Sequence, residues 1–214
     1  MEPSKLFIIG AGGFGKEVLG LVRDLQQSQS SEEVMGFIDE ELVGKLIQGV
    51  SVLGNDEMAI RELPRDWRFV VAVGNSQLRS RIFRRYLQAG FQPVSLIHPS
   101  SIIGEQVALG IGTIVCAGSI LTTDIRVGKG GIFNLHTSVG HDCQLGEFVT
   151  MSPGARLSGG VKVGNECEFG TNAVAIPEIA IGHRVRLGAG AVAISDLPDN
   201  QTYVGVPAKP VALS

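Results

Sequence analysis

His141 and Asp142 stand side by side in "SVGHDCQLGEF" (138–148), in a chain with only four histidines. An imidazole can accept a proton near neutrality because its unperturbed pKa is about 6.5. A neighbouring carboxylate can hold the ring in one tautomer and raise its basicity, as aspartate does in a Ser-His-Asp triad. The pair therefore offers proton-transfer chemistry. The surrounding valines, leucines and glycines read as scaffold, so the scaffold decides what the pair can face.

That scaffold has a period of six. From Ile103 to Ala193 every sixth residue is apolar, and Gly110, Gly128, Gly146, Gly164 and Gly182 recur every eighteen. Hexapeptide repeats are the signature of a parallel β-helix in which three short strands make one coil. About five coils are expected, and at roughly 4.8 Å per coil the prism is about 24 Å long. Apolar residues at each sixth position and small residues two before them fill the interior. His141 and Asp142 fall outside both rows, whereas Cys143 falls in the small inward one. Residues eighteen apart stack, which sets Gly159 above His141 and Gly160 above Asp142. An outward imidazole beneath a bare glycine backbone leaves room for a ligand.

Before the repeat, the pattern alternates strand and helix. "KLFIIGAGGFGKEVLGLVRDL" is an apolar strand, a glycine turn and an amphipathic helix. "EVMGFID", "WRFVVAVGN" and "FQPVSLI" read as further strands, and "NDEMAIREL" and "SQLRSRIFRRYLQAG" as helices. This is a small α/β domain with a parallel sheet. The expected division is 1–98 for that domain, 99–196 for the β-helix and 197–214 for a tail.

The chain of 214 residues is 44% hydrophobic and 18% charged with a net charge of -3. That balance describes a globular protein and gives no electrostatic footprint for nucleic acid. No stretch is apolar enough to span a membrane and no signal peptide precedes the first strand, so a cytoplasmic protein with no membrane partner is expected. Cys116, Cys143 and Cys167 are odd in number and lack CxxC spacing, which fits reduced core residues.

"IIGAGGFGKEV", "VVAVGNSQLR", "LIHPSSIIG", "NLHTSVGHDCQLGEFV", "GARLSGGVKVG" and "YVGVPAKP" occur in an order that resembles the nucleotide-sugar N-acetyltransferases of the sialic-acid O-acetyltransferase-like family. The resemblance covers nearly the whole chain, and "GHDCQLG" with "GVPAKP" is its most specific part. It implies a left-handed coil, a homotrimer with acetyl-CoA in the groove between neighbours, and no metal. It also implies acetylation of the 4-amino group of a nucleoside-diphosphate-linked 4-amino-4,6-dideoxyhexose for surface glycans, with GDP-perosamine the expected substrate and a UDP- or dTDP-linked sugar the alternative. By resemblance His141 is the base and Asp142 its partner, with the Gly159 N–H as oxyanion donor. Thr150, Thr171 and Ala189 are the expected acetyl-CoA positions, with the tail of 197–214 also contacting acetyl-CoA. Some relatives carry a second histidine where this chain has Thr150, and many carry histidine where it has Phe14.

Gly10, Gly12 and Gly15 fit G-x-G-x-x-G after a strand, and Asp39 ends the next strand. Taken alone this suggests a dinucleotide enzyme. Only one mononucleotide-binding half is present, however, and pyrophosphate also occurs in a nucleotide sugar. Gly13, Phe14, Gly15, Asp39, Glu40, Gly74 and Asn75 are therefore the expected nucleotide-sugar residues. A second competitor is zinc: His136 and His141 match the spacing of two ligands in β-helical carbonic anhydrases. The third ligand position is Ser100 here. A β-helical scaffold without activity would need neither the His-Asp pair nor the glycine turn.

Overall fold

The computed structural model describes residues 4–28 and 32–211. The N-terminal part contains β1 (Ser4–Ile9), α1 (Gly13–Gln27), β2 (Glu32–Ile38), β3 (Leu46–Ile47), β4 (Val50–Gly54), α2 (Asp56–Glu62), β5 (Arg68–Val71), α3 (Ser76–Gln88) and β6 (Gln92–Pro93). Its sheet runs in the order β3-β4-β2-β1-β5-β6 and is parallel except for the β3–β4 hairpin. The strand order reverses between β1 and β5, so the loops after these two strands flank the crevice where open α/β sheets take ligands. Gly10, at φ +97°, lets those loops approach: a Cβ there would come within 2.9 Å of the Ala72 carbonyl.

"FQPVSLI" does not form one strand. Gln92–Pro93 closes the α/β sheet, and Leu96–Ile97 already pairs with Ile114–Val115 as the first rung of the next structure. Proline lacks a backbone donor and suits an edge, which is where Pro93 sits.

From Leu96 the chain winds as a parallel β-helix with three faces. The first runs from Leu96–Ile97 to Thr202–Val204, the second from Ile102–Ile103 to Val192–Ala193, the third from Ala108–Leu109 to Ala180–Ile181. Rungs up to Val192–Ala193 pair with the residue eighteen further on, as Ser138 does with Arg156 and Val139 with Leu157, whereas the last coil is shorter and Arg186–Leu187 pairs with Thr202–Tyr203, sixteen on. Of the apolar row, Val115 to Ala193 is fully buried, while Ile103 and Leu109 are half-buried at the open first coil. Turns follow the same arithmetic: every sixth residue from Gln106 to Gly190 has positive φ. Glycine occupies many of these positions; Asp142, at φ +60°, is one of the exceptions. Aspartate tolerates this conformation better than most side chains.

The α/β part lies on the first face. The buried stripe of α1 (Val18, Leu19, Leu21, Val22) packs with Leu96, Ile114, Cys116 and Ile132. Helix α3 covers the corner between the third and first faces, where Phe83 meets Phe148 edge-on at 5.4 Å between ring centres. At the far end of the first face, Lys209–Val211 folds back antiparallel on Thr202–Val204.

Candidate active site

His141 and Asp142 occupy the corner between the second and third faces, between Ser138–Val139 and Gln144–Leu145. The left-handed conformation of Asp142 turns its carboxylate toward the ring, and His141 Nδ1 lies 2.7 Å from Asp142 Oδ2. With Nδ1–H donating to the carboxylate, Nε2 carries the lone pair. Both side chains are about two-thirds exposed, so the pair stands free on the prism edge.

Gly159 lies directly over the ring: an added Cβ would be 2.5 Å from both Cε1 and Nε2 of His141. No other residue type fits there without moving the imidazole. The next N–H, on Gly160, donates to the His141 carbonyl at 2.7 Å, and the Gly159 N–H makes no backbone hydrogen bond among the described residues. A donor that is free and fixed beside the imidazole has the form an oxyanion site needs. Cys143 is buried beneath this corner, and burial pushes its thiol up, as it does Cys167 (to about 11) and Cys116 (to about 12). The thiols are core residues, not nucleophiles.

The residues expected for the nucleotide sugar gather at the ends of β1, β2 and β5. Gly13, Phe14 and Gly15 form the first turn of α1, whose N-cap Gly12 has no side-chain bond. Gly15 presses on Gly10: a Cβ there would be 2.1 Å from the Gly10 carbonyl oxygen. Phe14 is half-buried against the α1 core, an apolar use of that position. Asp39 accepts from the Ala11 N–H at 2.9 Å and the Glu41 N–H at 3.1 Å, so its carboxylate shapes the glycine turn. Glu40 is exposed beside it. Gly74 is exposed at the end of β5, and Asn75 caps α3 by accepting from the Leu78 N–H at 2.8 Å.

The acetyl-CoA positions divide between two places. Thr171 and Ala189 stack on the corner between the first and second faces, the Gly190 N–H donating to the Thr171 carbonyl at 2.8 Å. Thr150 lies instead on the first face, nearly buried under the α/β part, where its hydroxyl donates to the Gly74 carbonyl at 2.9 Å. A cleft of about 370 Å³ joins these elements, lined by Gly74, Thr150, Glu168, Gly170, Arg186 and Gly188 among others. Glu168 is held there by the Ser76 N–H and hydroxyl, each at 2.8 Å. Within one chain this cleft opens on the first face, and the His141 corner is the one corner that the first face does not touch.

Sequence reasoning did not foresee Arg79, which is 1% exposed. "RSRIFRR" offers several arginines, and only the pitch of α3 against the β-helix selects the buried one. His98 sits at the joint, with Nε2 3.1 Å from Asp24 Oδ2 and Nδ1 accepting from the Ser100 N–H at 3.0 Å. Among the described residues no three His, Cys, Asp or Glu side chains are grouped to hold a metal, and no helix is long and apolar enough to cross a membrane.

Residues 5–86 match the family model of the PglD N-terminal domain. A GDP-perosamine N-acetyltransferase of Escherichia coli O157:H7 is 30% identical over 168 residues, covering 78% of this chain and 76% of that protein. Among solved structures, the acetyltransferase domain of PglB from Neisseria gonorrhoeae superposes with a TM-score of 0.92 at 36% identity, over 97% of this chain and 100% of that one. A histidine-to-asparagine mutant of perosamine N-acetyltransferase from Caulobacter crescentus, in complex with CoA and GDP-perosamine, gives 0.90 at 34% identity over 97% of each chain. A nucleotide-type α/β domain on a β-helix bearing an exposed His-Asp pair defines an acetyltransferase of the β-helix class. Within that class, the chain belongs to the family of nucleotide-sugar N-acetyltransferases.

Proposed function

We propose that this chain transfers the acetyl group of acetyl-CoA to the 4-amino group of a nucleoside-diphosphate-linked 4-amino-4,6-dideoxyhexose, GDP-perosamine being the first substrate to test. The observation that carries the reading is the His141–Asp142 pair set against the bare Gly159 backbone. The amine nitrogen attacks the thioester carbonyl carbon and the carbon–sulfur bond breaks. His141 Nε2 accepts the amine proton while Asp142 holds Nδ1–H, and the Gly159 N–H faces the oxygen on which negative charge develops. The glycine turn of α1, with Asp39, Glu40, Gly74 and Asn75, holds the nucleotide sugar, and a helix N-terminus suits its pyrophosphate.

The working unit is a homotrimer with the second faces around the axis. Ile102 and Ile120 point outward from that face and are 59% and 40% exposed. Packing second faces together brings the His141 corner of one chain beside the Thr171–Ala189 corner and the Gly74 cleft of the next. This arrangement unites groups that a single chain keeps apart, and closed cyclic symmetry is the usual solution for unlike faces. Acetyl-CoA then lies along the groove between chains. The left hand of the coil and a cytoplasmic location belong to the same reading.

A thiol-release assay over GDP-, UDP- and dTDP-linked 4-amino sugars tests it. Release of CoA with at least one of them is expected, GDP-perosamine giving the highest kcat/KM. Release with none overturns the reading. A UDP- or dTDP-linked preference would keep the chemistry and change the base.

A further inference from the structure

Arg79 is buried in the joint between the α/β part and the β-helix, with 1% of its surface exposed. A buried guanidinium is costly, and proteins usually pair it with a carboxylate. None lies within ion-pair distance of Arg79 among the described residues; the Glu166 and Glu168 charges act only through space. Burial lowers its pKa to about 9, which leaves it protonated at neutral pH.

All of its hydrogen bonds go to main-chain carbonyls, and they come from both parts of the molecule. Nη1 donates to Val73 at 2.8 Å and Gly74 at 3.0 Å, the loop that ends β5. Nε donates to Gly130 at 2.9 Å and Nη2 to Phe148 at 2.8 Å, two stacked levels of one β-helix corner. The Gly74 carbonyl also accepts from Thr150 on the first face. One planar fork thus ties the loop over the cleft to the coils beneath it. An apolar side chain of similar volume would fill the joint but leave these carbonyls unpaired. What it could not supply is a rigid set of donors with fixed directions.

We propose that Arg79 is a positioning residue for the nucleotide-sugar site, fixing the Gly74–Asn75 main chain over Thr150 so that the sugar enters the cleft in a productive pose. The inference rests on the function proposed above. It implies that the α/β part is no independent module: its substrate loop takes its geometry from the β-helix.

Arg79→Lys and Arg79→Met, measured as purified full-length chains, test it. Both should raise the KM for the nucleotide sugar about tenfold or more while the KM for acetyl-CoA stays within twofold. A purely structural role predicts a lower Tm with both KM values unchanged, and that result, or an equal rise in both, overturns the proposal. If neither variant folds, Thr150→Val removes the second donor to the Gly74 carbonyl. It should raise the nucleotide-sugar KM about threefold or more, and an unchanged value overturns the proposal. A wild-type chain that acetylates no 4-amino sugar overturns the functional reading and this inference with it. Turnover by wild type with an unselective Arg79→Lys overturns this inference alone.

Discussion

At the scale of residues, the active corner depends on two contacts. If His141 accepts the amine proton, His141→Ala should lower kcat by about 10²–10⁴, the usual range for a general base. Asp142→Asn keeps a hydrogen-bonding side chain and should cost less. Near wild-type kcat in His141→Ala would assign the proton to the departing sulfur. Gly159→Ala probes the other contact. Its Cβ would meet the ring at 2.5 Å, yet the turn is on the surface. We expect kcat to fall at least tenfold with Tm within a few degrees; full activity would show that the ring need not sit where it does. The pair itself was legible in sequence because it stood outside the repeat: two polar residues off the inward rows, under two glycines. Arg79 was not legible, since a basic helix face gives no sign of which side chain meets a carbonyl-lined corner.

At the scale of elements, hexad spacing specified the coils almost completely, because each sixth position has one environment and tolerates one class of side chain. The same spacing left the joint obscure. "FQPVSLI" has the apolar run of a strand, and only Pro93 hints that it divides between two sheets. The β3–β4 hairpin was also missed; its rungs are short and half exposed, with no clear alternation. Thr150, Thr171 and Ala189 came as one group by resemblance, whereas stacking sets Thr150 on the first face, three positions short of the corner that carries the other two. Two predictions belong here. Ala189→Trp should raise the KM for acetyl-CoA several-fold more than that for the sugar, and unchanged acetyl-CoA kinetics would argue against the corner as its binding site. Gly15→Ala forces a Cβ to 2.1 Å from a backbone oxygen, which cannot move aside as a side chain would. Its Tm should fall by about 4 °C or more, the equivalent of about 1 kcal/mol or more in a domain of this kind; an unchanged Tm would mean that the turn relaxes freely.

At the scale of the whole molecule, the separation of the His141 corner from the Gly74 cleft makes activity a property of the assembly. Replacing Ile102 and Ile120 with lysine should give a folded chain of 22.6 kDa by light scattering, with kcat/KM reduced at least a hundredfold. A wild-type chain that is monomeric at assay concentration would refute the arrangement. Mixing sharpens the test. His141→Ala and Ala189→Trp chains refolded together should regain activity at limiting acetyl-CoA, because each supplies the group that the other lacks. No recovery would mean that both groups serve the same chain.

The antiparallel return of Lys209–Val211 on Thr202–Val204 has a consequence for solubility. A parallel coil ends in a rung whose N–H and C=O groups face along the stack, the same geometry by which amyloid strands recruit one another. A strand running the opposite way, with its side chains in solvent, presents the wrong partner for another prism. The α/β part covers the first face where the coil begins. On the first face, the C-terminal hairpin therefore blunts the edge on which another prism could stack.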